Sequence, residues 1–219
     1  MTAHVDPVRR YQIALDRARQ EWAAADPAIS AALGACSLQA PASVPRAVGE
    51  TPVGVLVPYF GLPHWVTHPG GEVINLGMSP PRAAHATVAI LLLHYLLAAD
   101  GTTPADRWLA FRELPDGLFY AQAFASHAEG LLAARFGADM DALRSAAGEL
   151  GGSPLDLADA SFRFQALPRV AVAVLAWAGD DELPGQARIL FDASAGRYLP
   201  TEDLSGIGDW LAHRLARGR

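Results

Sequence analysis

Three runs near the C-terminus decide the fold: "ASFRFQAL" (Ala160–Leu167), "RVAVAVLAW" (Arg169–Trp177) and "QARILFDA" (Gln186–Ala193). Each carries β-branched or aromatic residues, and the separators are Pro168-Arg169 and "GDDELPG". Short apolar runs bounded by such turn residues read as an antiparallel sheet. The middle run is apolar on both faces, so it belongs inside the sheet with both sides covered. Beyond it, Thr201 is expected to cap a last helix, Glu202 to Ala216. Its acidic first turn and basic last turn both suit the helix dipole.

Working toward the N-terminus, "GLFYAQAFASHAEGLLAARFG" and "DMDALRSAAGELGG" read as two helices, each ended by glycine. "RWLAFREL" (Arg107–Leu114) alternates like a strand. The apolar stretch "AILLLHYLLAADG" (Ala89–Gly101) sits in a helix expected from Pro81 to Ala99, with proline in its first turn and Gly101 just past its end. Its second half is apolar on every face and should be central. Upstream, "VGVLVPYFGLPHWVTHPGGEVINLG" holds three β-prone runs broken by Gly61-Leu62-Pro63 and Pro69-Gly70-Gly71, a small antiparallel meander. Residues 37–52, "SLQAPASVPRAVGETP", have no period and read as a loop or linker. A short helix is expected at Pro27–Leu33, and Val8–Ala25 reads as amphipathic through Tyr11, Leu15, Ala18 and Trp22. The expected class is α+β: one domain over 1–219 whose N- and C-terminal strands share a helical layer.

Composition narrows the function. The 219 residues are 51% hydrophobic and 18% charged, ordinary for a globular chain able to bury a sizeable core. Net charge is −6, so the basic footprint of a nucleic-acid binder is missing. All 17 basic residues are arginine. Without lysine there is no P-loop, Schiff base or pyridoxal site. One cysteine, Cys36, excludes an internal disulfide, a thiolate zinc site and a self-contained iron–sulfur cluster. The first residues, "MTAHVDPVRRYQ", have no apolar core, and the longest apolar run falls short of the ~18 residues of a membrane span. A cytoplasmic address is expected. Neither a G-x-S-x-G elbow nor a G-x-G-x-x-G fingerprint is present.

Several side chains are candidates. His64 and His68 stand at i, i+4, but on a strand they would lie about 13 Å apart, too far to share a metal, and read as half-exposed hairpin residues. His85 and His94 point to opposite sides of their helix. His94, with Tyr95, sits in the apolar run. Three readings stay open for it: a hydrogen-bonded core residue, an axial ligand to a metal or tetrapyrrole, or a general base. His127, beside Glu129, is expected to be exposed. Arg112 and Glu113 fall on opposite faces of the strand in "FRELPDG". "LFDASAGRYLPTEDL" gathers Asp192, Arg197, Tyr198, Glu202 and Asp203 around one loop. Cys36 reads as a small core residue.

The order of "LLLHYLLAADGTT", "RWLAFRELPDGLFYAQAF" and "LPRVAVAVLAWAGDDELPGQARILFDASAGRYLPTEDL" resembles the family known as domain of unknown function 3786, over roughly Tyr11 to Leu215. The spacing of W-x-G-D-x-E, L-F-D and Y-L-P-T-E-D-L is its most specific part. Some relatives look associated with iron–sulfur proteins bearing a cysteine-rich module like that of corrinoid enzymes, a module this chain lacks. The resemblance makes His94, Tyr95, Arg112, Glu113, Tyr120, Asp192, Tyr198, Glu202 and Asp203 the site candidates.

The leading expectation is a cytoplasmic binding or accessory protein for a small molecule, a metal-containing cofactor or a partner protein, without membrane or nucleic acid. His94 would be the metal or tetrapyrrole ligand, and Arg112 and Arg197 would pair with ligand carboxylates. One alternative is an enzyme with Asp192 or Glu202 as acid–base group and Tyr95 or Tyr198 as donor. The other is an assembly partner or homo-oligomer, which predicts an exposed apolar patch.

Overall fold

The structure, a computed structural model, describes residues 7–27, 44 and 53–218. The short helix at Pro27–Leu33, Cys36 and the 37–52 linker fall almost wholly outside the described residues. The fold is α+β, with two wholly antiparallel sheets. The chain divides into two compact units, Met1–Gly101 and Thr102–Arg219.

In the N-terminal unit, helix α1 (Pro7–Ala24) buries Leu15, Ala18 and Trp22, three of the four residues that its spacing selects; Tyr11 stays exposed. The meander follows as β1 (Gly54–Tyr59), β2 (Leu62–Thr67), β3 (Val73–Asn75) and β4 (Arg82–Ala83), in that order across the sheet. Its first hairpin closes over two residues, Phe60 and Gly61, at φ 45° and 76°. Positive φ at both positions is what the right-handed strand twist requires of a two-residue turn. Helix α1 is tied to the next turn: Trp22 Nε1 donates to the Thr67 carbonyl at 2.8 Å and Arg19 Nε to that of Gly71 at 3.3 Å. Helix α2 (Ala86–Leu97) buries Ala89 through Leu93, Tyr95 and Leu96, as a helix apolar on most faces must.

In the C-terminal unit, β5 (Trp108–Ala110), β6 (Ser153–Pro154), β7 (Ala160–Leu167), β8 (Val170–Trp177) and β9 (Gln186–Asp192) form a sheet ordered β5-β9-β8-β7-β6. Strand β8 is interior, and all of it except Trp177 is buried. The helices are α3 (Gly117–Phe124), α4 (Gly130–Phe136), α5 (Met140–Glu149) and α6 (Thr201–Arg217). A π-turn, Ala125–Glu129, joins α3 to α4 without a break. Helix α6 buries Leu204, Ile207, Leu211 and Leu215 as one stripe. Gly208 sits on that face because a Cβ there would come within 2.5 Å of the Phe124 ring. That ring stacks on Phe111 at 4.2 Å between centroids and meets Phe191 at 6.0 Å.

The structure corrects four local expectations. The run Arg107–Leu114 is a strand only as far as Ala110. Phe111–Glu113 is a 3₁₀ turn, so Arg112 and Glu113 are not on opposite strand faces. Glu113 Oε2 accepts the Ala110 N–H at 2.7 Å, a local bond that competes with further pairing. Helix α2 begins at Ala86, not Pro81, because Arg82 and Ala83 pair with β3 and the Ala84 N–H goes to the Val73 carbonyl. Its C-cap is Ala98, and Gly101, at φ 77°, lies beyond it. Thr201 is the first helical residue and no cap: Pro200 holds that position, and the Thr201 hydroxyl donates to the Pro115 carbonyl.

Candidate functional site

The site grows from a mismatch in strand length. Strand β5 pairs only with Leu190–Asp192 and then turns away, leaving Gln186–Ile189 of β9 with no strand on that side. A buried strand edge must still find partners for its amides. Glu129 supplies one: Oε1 accepts the Ile189 N–H at 3.0 Å, and Oε2 takes Arg188 Nη1 at 2.9 Å. Its carboxylate stands where a neighbouring strand would otherwise be.

The π-turn is what delivers it. Buried Phe124, Ala128, Leu132 and Phe136 recur every four residues. On an ideal α-helix each such step drifts about 40° from the axis line, so the stripe would rotate off the sheet. A π-turn widens the local repeat and holds the stripe in phase. It also leaves Glu129 only 7% exposed while His127 points to solvent, as expected of that histidine.

Where β5 leaves the edge there is a cavity of about 300 Å³, lined by Ala110, Phe111, Arg112, Gln122, Glu129 and Arg188 among others. Its surface is mainly apolar. Both Glu129 oxygens are occupied, so its charge is spoken for. Arg112 has no acidic partner among the described residues. The guanidinium of Arg188 is held by Glu129 yet 52% exposed. Arg188 also lines a second hollow of about 400 Å³ beside the β8–β9 hairpin. Chemically the cavity offers two guanidinium groups and a carboxamide over an apolar floor, a setting for a small anion with carbon attached.

Of the residues singled out from the sequence, Arg112 lies in this cavity. Glu113 is beside it but spends its carboxylate on the 3₁₀ turn. Tyr120 packs edge-on to Phe111 at 6.4 Å and is half-exposed. Asp192 and Tyr198 lie elsewhere and share another task. Asp192 Oδ1 accepts N–H groups of Ala105 and Ser194, both at 2.9 Å, and the Ser194 hydroxyl at 2.6 Å. The Tyr198 hydroxyl donates to the Thr102 carbonyl. Together they fasten the segment leading into β5. Burial pushes the Asp192 carboxyl up, but the bonds from Ser194 and Ala105 outweigh it and hold it below the usual range. Glu202 and Arg197 are exposed, and Asp203 is half-buried in the first turn of α6. The cavity brings together Arg112, Gln122, Glu129 and Arg188, three of which the sequence did not single out as site residues. The strict four-residue spacing before and after Glu129 was the one available signal.

In the N-terminal unit Tyr95 is fully buried and His94 half-buried. His94 opens onto a groove of about 540 Å³ against α1, lined also by Arg10, Ile13, Arg17 and Glu21. His64 departs from the expected half-exposure. It is buried in β2, Nδ1 lies 2.9 Å from the Leu62 carbonyl, and burial lowers its pKa. His68 Nε2 reaches the Ala25 carbonyl at 3.0 Å, with the ring edge-on to Trp22. Among the described residues no three His, Cys, Asp or Glu side chains are placed to hold a metal ion. No described helix is long and apolar enough to cross a membrane.

These features define an α+β protein whose C-terminal unit carries an arginine-lined cavity at an open sheet edge. The chain belongs to the family described as "Domain of unknown function (DUF3786)", matched over residues 42–214. No curated protein and no solved structure matches it.

Proposed function

We propose that this is a cytoplasmic binding protein whose C-terminal unit takes a small carboxylate in the cavity at the end of β5. The observation that carries the reading is Arg112, a guanidinium without an acidic partner among the described residues, lining the same mainly apolar cavity as Arg188. A carboxylate matches the planar fork of arginine in two-bond geometry. Gln122 adds a neutral donor at the cavity wall. Glu129 is a positioning residue: it holds Arg188 and does not meet the anion. Titration with butyrate and with butyramide, followed by amide chemical shifts, tests the reading. Butyrate is expected to bind at least tenfold more tightly than butyramide, with the difference lost in Arg112→Gln. Equal binding of the two probes, or none of either, removes it.

A second reading rests on the N-terminal groove, where His94 lies with Arg10 and Arg17. An imidazole in one groove with Arg10 and with Arg17, the latter ion-paired with Glu21 at 2.9 Å, suits a metallated tetrapyrrole bearing carboxylates. Titration with hemin, followed by absorbance, tests it. A sharp Soret shift with wild type that His94→Ala abolishes supports the assignment, and an unchanged shift in the variant ends it.

A further inference from the structure

Resting on the carboxylate reading of the cavity, we propose that the ligand carries a linear apolar tail, which runs along Arg188 into the hollow beside the β8–β9 hairpin. Arg188 lines both spaces, so a head group held there already stands at the entrance to the second. The aliphatic stem of an arginine covers apolar surface while its guanidinium binds the anion. The second hollow is walled by Trp177, Leu183 and Pro184 and is lined also by Asp180 and Gln186; the Asp180 carboxylate there is already engaged by backbone N–H groups. Trp177 is 36% exposed and Leu183 62% exposed, so neither serves the core fully.

Yet the loop that presents Leu183, just beyond the end of β8, is hydrogen-bonded at several points. Asp180 Oδ1 accepts the N–H groups of Glu182 and Leu183 at 2.9 and 2.8 Å, and the Asp180 N–H donates back to the Leu183 carbonyl. The Gly179 N–H donates to the Gly137 carbonyl at 2.9 Å. Gly185 lies directly on Gly137: a Cβ there would come within 2.4 Å of the Gly137 Cα. A loop whose backbone is held at this many points is pre-organised, which lowers the ordering cost a ligand would otherwise meet. Folding by itself gives no reason to aim a leucine and a tryptophan into the same open hollow. The ligand class is therefore a medium-chain acid: carboxylate at Arg112 and Arg188, hydrocarbon between Trp177 and Leu183.

The test is a calorimetric series with butyrate, hexanoate and octanoate on the full chain. Affinity is expected to rise roughly fourfold per added methylene, the equivalent of about 0.8 kcal/mol. Trp177→Ala and Leu183→Ser are each expected to flatten the series while leaving butyrate unchanged. Leu183 stands on the loop surface, so its variant keeps the fold. Arg112→Gln is expected to weaken all three acids equally and preserve the slope. Acids that bind with no dependence on length overturn the tail and leave the carboxylate reading standing. A slope that both hairpin variants leave intact also overturns it, because the tail then lies elsewhere. No binding of any acid removes the carboxylate reading itself, and the tail with it.

Discussion

Replacing Glu129 with alanine tests whether a side chain completes the sheet. In Glu129→Ala the Ile189 N–H loses its acceptor, and Ile189 is fully buried. An orphaned buried amide costs about 1–3 kcal/mol. The bond to Arg188 adds less, because that guanidinium is 52% exposed and water replaces the carboxylate. Pairs open to solvent are worth about 0–1 kcal/mol. The expected loss is therefore about 1–4 kcal/mol, a fall in Tm of roughly 4–16 °C for a unit of this size. Glu129→Gln keeps a carbonyl oxygen for Ile189 and gives up only the charge, so it should lose no more than about 1 kcal/mol. Urea unfolding followed by circular dichroism gives both values. Hydrogen exchange at the Ile189 amide localises the effect: protection is expected to fall in the alanine variant and to persist in the glutamine one. An alanine variant within about 0.5 kcal/mol of wild type, or a glutamine variant as damaged as alanine, would refute the reasoning.

Two glycines should respond in opposite directions. Gly185→Ala forces a Cβ against the Gly137 backbone and is expected to cost about 1–3 kcal/mol in urea unfolding. Gly206→Ala meets nothing within 4 Å inside α6 and should stabilise by up to about 1 kcal/mol. Two titrating groups, buried His64 and half-buried Asp209, have shifts of opposite sign. Burial lowers His64 from its usual value of 6.5, so its contribution is present above that pH and is lost as pH falls below it. The Tm of His64→Gln should decline less steeply than wild type over that acid range. Burial raises Asp209 from 3.8, offset in part by His127 and His213. Its contribution is full below that value and is lost as pH rises, so Asp209→Asn should melt higher than wild type at pH 7. Helix α3 exposes Leu118, Tyr120 and Phe119, the last at 91%. If this run joins two copies of the chain, sedimentation should show a concentration-dependent dimer that Phe119→Asp abolishes, and a monomer at every concentration excludes it.

Legibility followed the range of the interactions. The C-terminal strands could be read because each is local: apolar runs of seven or eight residues between turn residues leave few other structures open. The α1 face and the charged ends of α6 were readable for the same reason, since their periods lie within one helix. The errors came where a local pattern met a partner it could not name. Arg112 and Glu113 alternate like strand residues, yet the Ala110 N–H turns back to Glu113. Arg82 and Ala83 follow prolines that suit a helix start, yet β3 offers them a strand edge. His64 alternates like a hairpin residue but is buried in the sheet.

The amino-acid sequence by itself determined the α+β class, the antiparallel order of the C-terminal runs and the burial of β8 on both faces. Those follow from residue types and from periods of two and 3.6. Only the tertiary structure decided the site. The cavity exists because β5 stops short and because a π-turn brings Glu129 to Ile189, 60 residues along the chain, where it holds Arg188 on the cavity that Arg112 also lines. None of these depends on local preference. Each depends on which buried amide remains without a partner after the strands have paired, and that is settled only once the whole sheet is assembled.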